Sequence, residues 1–214
     1  MQRTRVKICG LTRIEDVQAA CALGADAVGF VCYAGSPRHV APEQLARLAA
    51  GVAPFVTPVL LFVNAAADAV RAALAVVPHA LLQFHGDEEH EFCRSFGRPY
   101  LRAVAVGTGV DLLNCERQYP SAAAVLADAP SAAFGGSGQT FDWDRLPAPA
   151  ERTLPLVLAG GLQPDNVGAA IGRVRPHAVD VSSGVEQARG VKSVERMRSF
   201  LAAVRRANDE SGAG

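Results

Sequence analysis

Along the chain, short apolar runs alternate with longer stretches in which apolar and polar positions mix at helical spacing. The runs are VKIC (6–9), AVGFVCY (27–33), PVLLFV (58–63), ALLQF (80–84), YLRAVAV (100–106), AAVLAD (123–128), LPLVLA (154–159) and AVDVSS (178–183). Little alternation within a run is the pattern of a strand covered on both faces, as in a parallel sheet. Segments 14–25, 42–52, 67–77, 88–96, 110–119, 164–174 and 193–207 between and after them read as helices, with a weak one at 142–146. Thr12 or Arg13 marks the first helix start and Gly24 its end.

Parallel neighbours need a crossover, usually a right-handed helical one. Eight strand–helix units of roughly 27 residues each predict one compact (β/α)8 TIM barrel of the α/β class, smaller than the ~250 residues usual for that fold. The barrel is assigned to 1–207, and the polar end 208–214 is read as a disordered tail. The competing architecture is an open doubly wound sheet, which normally carries GxGxxG after its first strand; CGLTRI (9–14) does not fit.

Composition narrows the function class. The 214 residues are 50% hydrophobic and carry 21 basic and 21 acidic side chains, a balance that argues against nucleic acid as a partner. No apolar stretch approaches the ~18 residues of a membrane span, and MQRTRVKICG lacks the apolar region and cleavage site of a signal peptide. Five scattered cysteines without a CxxC pair point to a reducing cytoplasm, with neither a disulfide framework nor a zinc site.

In a barrel of this kind the chemistry sits at the carboxyl ends of the strands. Polar residues just after an apolar run are therefore the candidates: 7–10, 36–38, Asn64, Gln83, 85–86, Asp128, the GGSGQT loop (135–140), 159–161 and 180–184. Gly160 and Gly161 after the seventh run, and Ser182, Ser183 and Gly184 after the eighth, form the strongest pattern. Glycine lets backbone N–H groups approach an anion, and loops after strands 7 and 8 recurrently bind phosphate. Ordinary turn glycines are the plain alternative.

Cys9 and Asp128 end the first and sixth strands and can face one another across the mouth. A thiolate is a competent base and a carboxylic acid a competent proton donor. A buried structural thiol and a loop or helix-cap carboxylate are the alternatives. His39, His79, His90 and His177 show no ligand spacing, and His85 is divided between substrate contact and a structural hydrogen bond.

KICG (7–10), SPR (36–38), FVN (62–64), QFHG (83–86), the aspartate after the sixth strand, GGSGQTFDW (135–143), LAGGL (158–162) and DVSSGVE (180–186) occur in one order over nearly the whole chain. In combination they resemble the phosphoribosylanthranilate isomerase family. The resemblance implies a (β/α)8 fold and the third step of tryptophan biosynthesis from anthranilate. That step is an Amadori rearrangement of N-(5′-phosphoribosyl)anthranilate to 1-(2-carboxyphenylamino)-1-deoxyribulose 5-phosphate, without cofactor or metal.

It also implies roles: Asp128 as general acid on the furanose ring oxygen, Cys9 as general base at C2′, and Arg38 as partner of the anthranilate carboxylate. Asp180 would hold ribose hydroxyls or orient the acid–base pair, with Lys7, Gln83 and His85 as further substrate residues. The phosphate would lie on Gly160, Gly161, Ser182, Ser183 and Gly184, with Gly136 of the GGSG loop. The partner is thus a small phosphorylated substrate, and the assembly a monomer or homodimer. Alternation places Lys7 on the face of Cys9, where its charge is expected to favour the thiolate.

Gln139 stands where the family usually has lysine, and Arg189 and Ser193 depart from its usual pattern after SSGVE. The histidine-pathway barrel that performs the same rearrangement is similar in fold but carries aspartate where this chain has Cys9. A phosphate-metabolite-binding barrel without catalysis is the non-enzymatic alternative; Cys9 and Asp128 together argue against it.

Overall fold

Strands that are apolar on both faces must be covered on both, and closure into a barrel does so with one sheet. The computed structural model describes residues 3–107, 111–130 and 140–212. Its strands are β1 (Arg5–Cys9), β2 (Ala27–Val31), β3 (Thr57–Phe62), β4 (Leu81–Phe84), β5 (Tyr100–Ala105), β6 (Ala124–Asp128), β7 (Leu156–Leu158) and β8 (Ala178–Val181). Each pairs in parallel with the next, and β8 closes onto β1 with Lys7 opposite Asp180.

Alternate residues of the strands serve two cores. Val59, Leu101, Ala103, Ala124, Leu126, Val157 and Ala159 fill the barrel interior. Their neighbours Ile8, Val28, Phe30, Leu60, Phe62, Leu82 and Phe84 belong to the outer core beneath the helices. Both sets are apolar, which is why the runs show so little alternation.

The helices are α1 (Ile14–Leu23), α2 (Pro42–Ala49), α3 (Ala67–Val76), α4 (His90–Arg94), α5 (Leu112–Gln118), α6 (Val167–Val174) and α7 (Val194–Gly212). Gly24 ends α1 in the left-handed region, at φ 94°, as its position predicts. None of the described helices is long and apolar enough to cross a membrane.

Three segments differ from the sequence reading. The weak helix expected at 142–146 is a single 3₁₀ turn, Trp143–Arg145, followed by another at Pro149–Glu151. Pro147, Pro149 and Pro155 remove backbone donors at short intervals and keep an α-helix from propagating. The expected tail is helical through Gly212. Asn208 gives a reason: its Oδ1 accepts from Thr4 N at 2.9 Å and its Nδ2 donates to Thr4 O at 3.3 Å, tying α7 to the start of β1. The third segment, after β8, holds an antiparallel hairpin, β9 (Glu186–Ala188) and β10 (Val191–Lys192). It docks on α1 and the loop before it: Asp16 Oδ2 of α1 accepts from Lys192 N at 3.1 Å, and Thr12 Oγ1 donates to Gly190 O.

Candidate active site

The mouth at the carboxyl ends of the strands gathers most of the expected residues. Lys7 and Cys9, two apart on β1, share a face. Lys7 Nζ donates to both Asp180 oxygens at 2.9 Å, and both groups are buried. A Cβ on Gly29 of β2 would stand 2.9 Å from Cys9 Sγ and 3.2 Å from Lys7 Cε, so glycine there makes room for both side chains. Cys9 is 6% exposed, packed with Val31, Leu61 and Val63, with Tyr33 against the cluster.

These surroundings decide its acidity. Burial pushes the Cys9 thiol up, Lys7 pulls it down, and the balance lies above the ordinary thiol value. Lys7 thus acts in the expected direction, but desolvation outweighs it. Burial disfavours the Lys7 ammonium, yet Asp180 and Cys9 overcome that and raise its pKa, so it stays charged.

Across the mouth, Asp128 Oδ1 accepts from Ala129 N at 2.8 Å, and Oδ2 lies 3.3 Å from His85 Nε2. Gln83, one inward position below His85 on β4, brings its Nε2 to 3.1 Å from His85 Nδ1. The Gln83 amide thus meets Nδ1 of the imidazole, while Nε2 faces Asp128. Gln83 is fully buried, and its Oε1 has no partner among the described residues. Its amide nitrogen reaches His85. Glu88 holds this edge in place: its Oε1 accepts from Asn64 N at 2.7 Å and its Oε2 from Gly86 N at 2.9 Å.

Gly10 explains itself by two constraints. Its φ is 73°, and a Cβ would lie 2.4 Å from Arg38 Cδ. The Arg38 side chain passes over that gap and meets a residue with no role assigned from the sequence. Its Nε and Nη2 donate to Glu186 Oε1 and Oε2 at 2.7 and 2.8 Å, and Lys192 Nζ donates to the same Oε1 at 2.8 Å. Glu186 closes the DVSSGVE motif, which was the available signal for it; for Lys192 the signal was its place at the lysine of the Lys-Asp pair that usually follows SSGVE in the family, with Ser193 in place of the aspartate.

The loops after β7 and β8 meet backbone to backbone. Gly160 and Gly161 have φ of 81° and 60°. A Cβ on Gly160 would come 2.6 Å from Ala129 N, and one on Gly184 would come 1.9 Å from Leu162 O. Gly160, Gly161, Ser182, Ser183 and Gly184 are all partly exposed, which leaves their backbones approachable at the mouth. Gly136 and Gln139 lie outside the described residues.

Comparison with known proteins gives a consistent result. Residues 6–203 match the family model described as N-(5′-phosphoribosyl)anthranilate (PRA) isomerase. A Leptothrix cholodnii protein named N-(5′-phosphoribosyl)anthranilate isomerase is 54% identical over 209 residues, 98% of this chain and 94% of its own. The crystal structure of phosphoribosyl anthranilate isomerase from Thermotoga maritima is similar at a TM-score of 0.83 and 38% identity, over 94% of this chain and 98% of that one. A further crystal structure of a phosphoribosyl anthranilate isomerase holds reduced 1-(o-carboxyphenylamino)-1-deoxyribulose 5-phosphate. It is similar at 0.79 and 36% identity, over 94% of this chain and 98% of that one.

Proposed function

The chain belongs to the N-(5′-phosphoribosyl)anthranilate isomerase family, and we propose that it works by proton transfers through Asp128 and Cys9. It is an aldose–ketose isomerase of tryptophan biosynthesis, acting on N-(5′-phosphoribosyl)anthranilate to give 1-(2-carboxyphenylamino)-1-deoxyribulose 5-phosphate. The observation that carries the mechanism is that Cys9 and Asp128 end β1 and β6 at one mouth, each beside a group suited to its task.

In the first step the Asp128 carboxyl gives its proton to the furanose ring oxygen. The C1′–O bond breaks, and the anthranilate nitrogen becomes an iminium. His85 faces the carboxylate left behind through Nε2, and Gln83 holds the imidazole from its other ring nitrogen. In the second step the Cys9 thiolate removes the C2′ proton, and the electron pair moves into the iminium to form an enolamine. Tautomerisation then gives the ketone. The iminium is the electron sink for proton removal.

The remaining groups bind and orient. Arg38 takes the anthranilate carboxylate on the edge that Glu186 leaves open. Asp180 holds Lys7 beside the thiol. Gly160, Gly161, Ser182, Ser183 and Gly184, with Gly136, take the phosphate. All these residues come from one chain, so a monomer and a homodimer are equally complete, and a reducing cytoplasm keeps Cys9 as a thiol.

The test is loss of anthranilate fluorescence from substrate made in situ. Rapid loss is expected; none from folded protein overturns the reading. Offering the histidine-pathway phosphoribosyl substrate in parallel separates the two Amadori reactions by product.

Cys9 titration checks the tuning. Because burial dominates, the rate of alkylation by iodoacetamide is expected to rise with pH through a midpoint above the ~8.5 of an ordinary thiol. kcat/KM rises over the same range, since the thiolate is the working form. Lys7→Met removes the nearest positive charge and moves the midpoint higher; an unmoved profile excludes Lys7 from the account.

A further inference from the structure

Lys192 is an ammonium with no exposure at all. Its Nζ donates to Glu186 Oε1 at 2.8 Å, to Ser182 O at 3.1 Å and to Ser182 Oγ at 3.3 Å. Three N–H groups meet three acceptors, so Lys192 has nothing left to offer a substrate. Its backbone is pinned by Asp16, so the side chain enters from a fixed point.

Glu186 passes the constraint on. Its two oxygens occupy Nε and one N–H of Nη2 of Arg38, while the stem of Arg38 is confined over Gly10. Of five guanidinium N–H groups, those on Nη1 and the second on Nη2 have no partner among the described residues. They form a two-pronged edge in one orientation, the shape that a carboxylate matches.

The charges around Cys9 do not balance. With Cys9 in its thiol form, Lys7, Arg38 and Lys192 face Asp180 and Glu186, all buried: three cations against two carboxylates, with burial pulling the Lys192 ammonium below its usual pKa. A buried surplus charge is unfavourable unless a partner arrives. A carboxylate on the open edge of Arg38 is that partner.

We infer that Lys192, acting through Glu186, is a positioning residue that makes this site select a carboxylate-bearing aryl group. The inference rests on Arg38 as the carboxylate partner. Lys192 holds the acceptor that orients Arg38 and supplies the positive charge that the substrate carboxylate neutralises. Without it, the remaining four groups form a neutral set of two cations and two carboxylates.

The experiment compares two ligands by calorimetry: the reduced 2-carboxyphenylamino product analogue and its phenylamino counterpart without the carboxylate. Both carry the phosphate. Wild type is expected to prefer the carboxylated ligand. Lys192→Gln is expected to lose about tenfold or more of that preference, any loss of phosphate affinity through Ser182 falling equally on both ligands, and Lys192→Arg is expected to keep it. A merely structural role would weaken both ligands by the same factor and leave the preference unchanged.

A Lys192→Gln protein with the full preference overturns the proposal and leaves Arg38 in place. Absence of any preference in wild type overturns the Arg38 reading, and the proposal with it. If Lys192→Gln fails to bind even the phenylamino ligand, Lys192→Met, which replaces the buried charge with an apolar chain of similar length, is read by the same two criteria.

Discussion

Cys9→Ser and Asp128→Asn are each expected to lower kcat by ~10²–10⁴, the usual contribution of a positioned acid or base. Serine keeps the shape of the side chain within the Val31, Leu61 and Val63 pocket but cannot ionise near neutral pH. Asparagine keeps an oxygen for Ala129 N but has no proton to deliver to the ring oxygen. KM should change little in either variant, because the residues proposed to bind the carboxylate and phosphate are untouched. The two groups serve successive steps of one sequence, so the double variant should lose less than the product of the single losses. Steady-state fluorescence kinetics decide the matter. A Cys9→Ser enzyme within tenfold of wild type would remove Cys9 as the base, and the same result with Asp128→Asn would remove the acid.

Glu186→Gln should produce the largest loss of stability. The carboxylate lies between two buried cations, and losing its charge leaves Arg38 and Lys192 without a counter-ion. Breaking a buried pair in this way typically destabilises by ~3–5 kcal/mol, which for a chain of this length lowers Tm by roughly 6–20 °C. The exposed pair Arg71–Asp68 offers the contrast: Asp68→Ala should change stability by less than about 1 kcal/mol.

The pH dependence has a definite sign. Burial alone would raise the Glu186 carboxyl, but Arg38 and Lys192 outweigh it and hold the group below the usual carboxylate range. Its stabilisation is therefore complete above the unfolded value of ~4.3 and is lost as pH falls through the lower folded value. Thermal unfolding between pH 7 and pH 3 should show a steeper acid loss in wild type than in Glu186→Gln. Parallel curves would mean that Glu186 carries no such linkage.

Some of the site could be read locally. The apolar runs predicted every barrel strand because burial on two faces leaves a mark within a few residues. Placing polar residues at strand ends then brought forward Cys9, Arg38, His85, Asp128 and the paired glycines, without any knowledge of their neighbours. Gln83 was chosen by the same rule, but its place in the mouth depended on depth. One turn of the strand pleat below His85, it is enclosed and serves the imidazole. The loss of a helix at 142–146 was foreshadowed by Pro147 and Pro149. The helical end of α7 was not, because the acceptor and donor that hold Asn208 belong to Thr4 at the other end of the chain.

By itself, then, the sequence determined the order of strands and helices, the end of the barrel that carries the chemistry, and the residue types available there. Those follow from periodicity, turn chemistry and motif, all of which act over short distances. Only the tertiary structure decided which charges meet. Lys7 reaches Asp180 across 173 positions because β8 closes on β1, and Arg38 reaches Glu186 across 148 because the hairpin after β8 begins at Glu186 and docks beside the loop that carries Arg38. It also decided that Cys9 is buried more strongly than Lys7 can offset. Pairing and desolvation depend on closure of the whole barrel, and no local stretch of sequence carries that information.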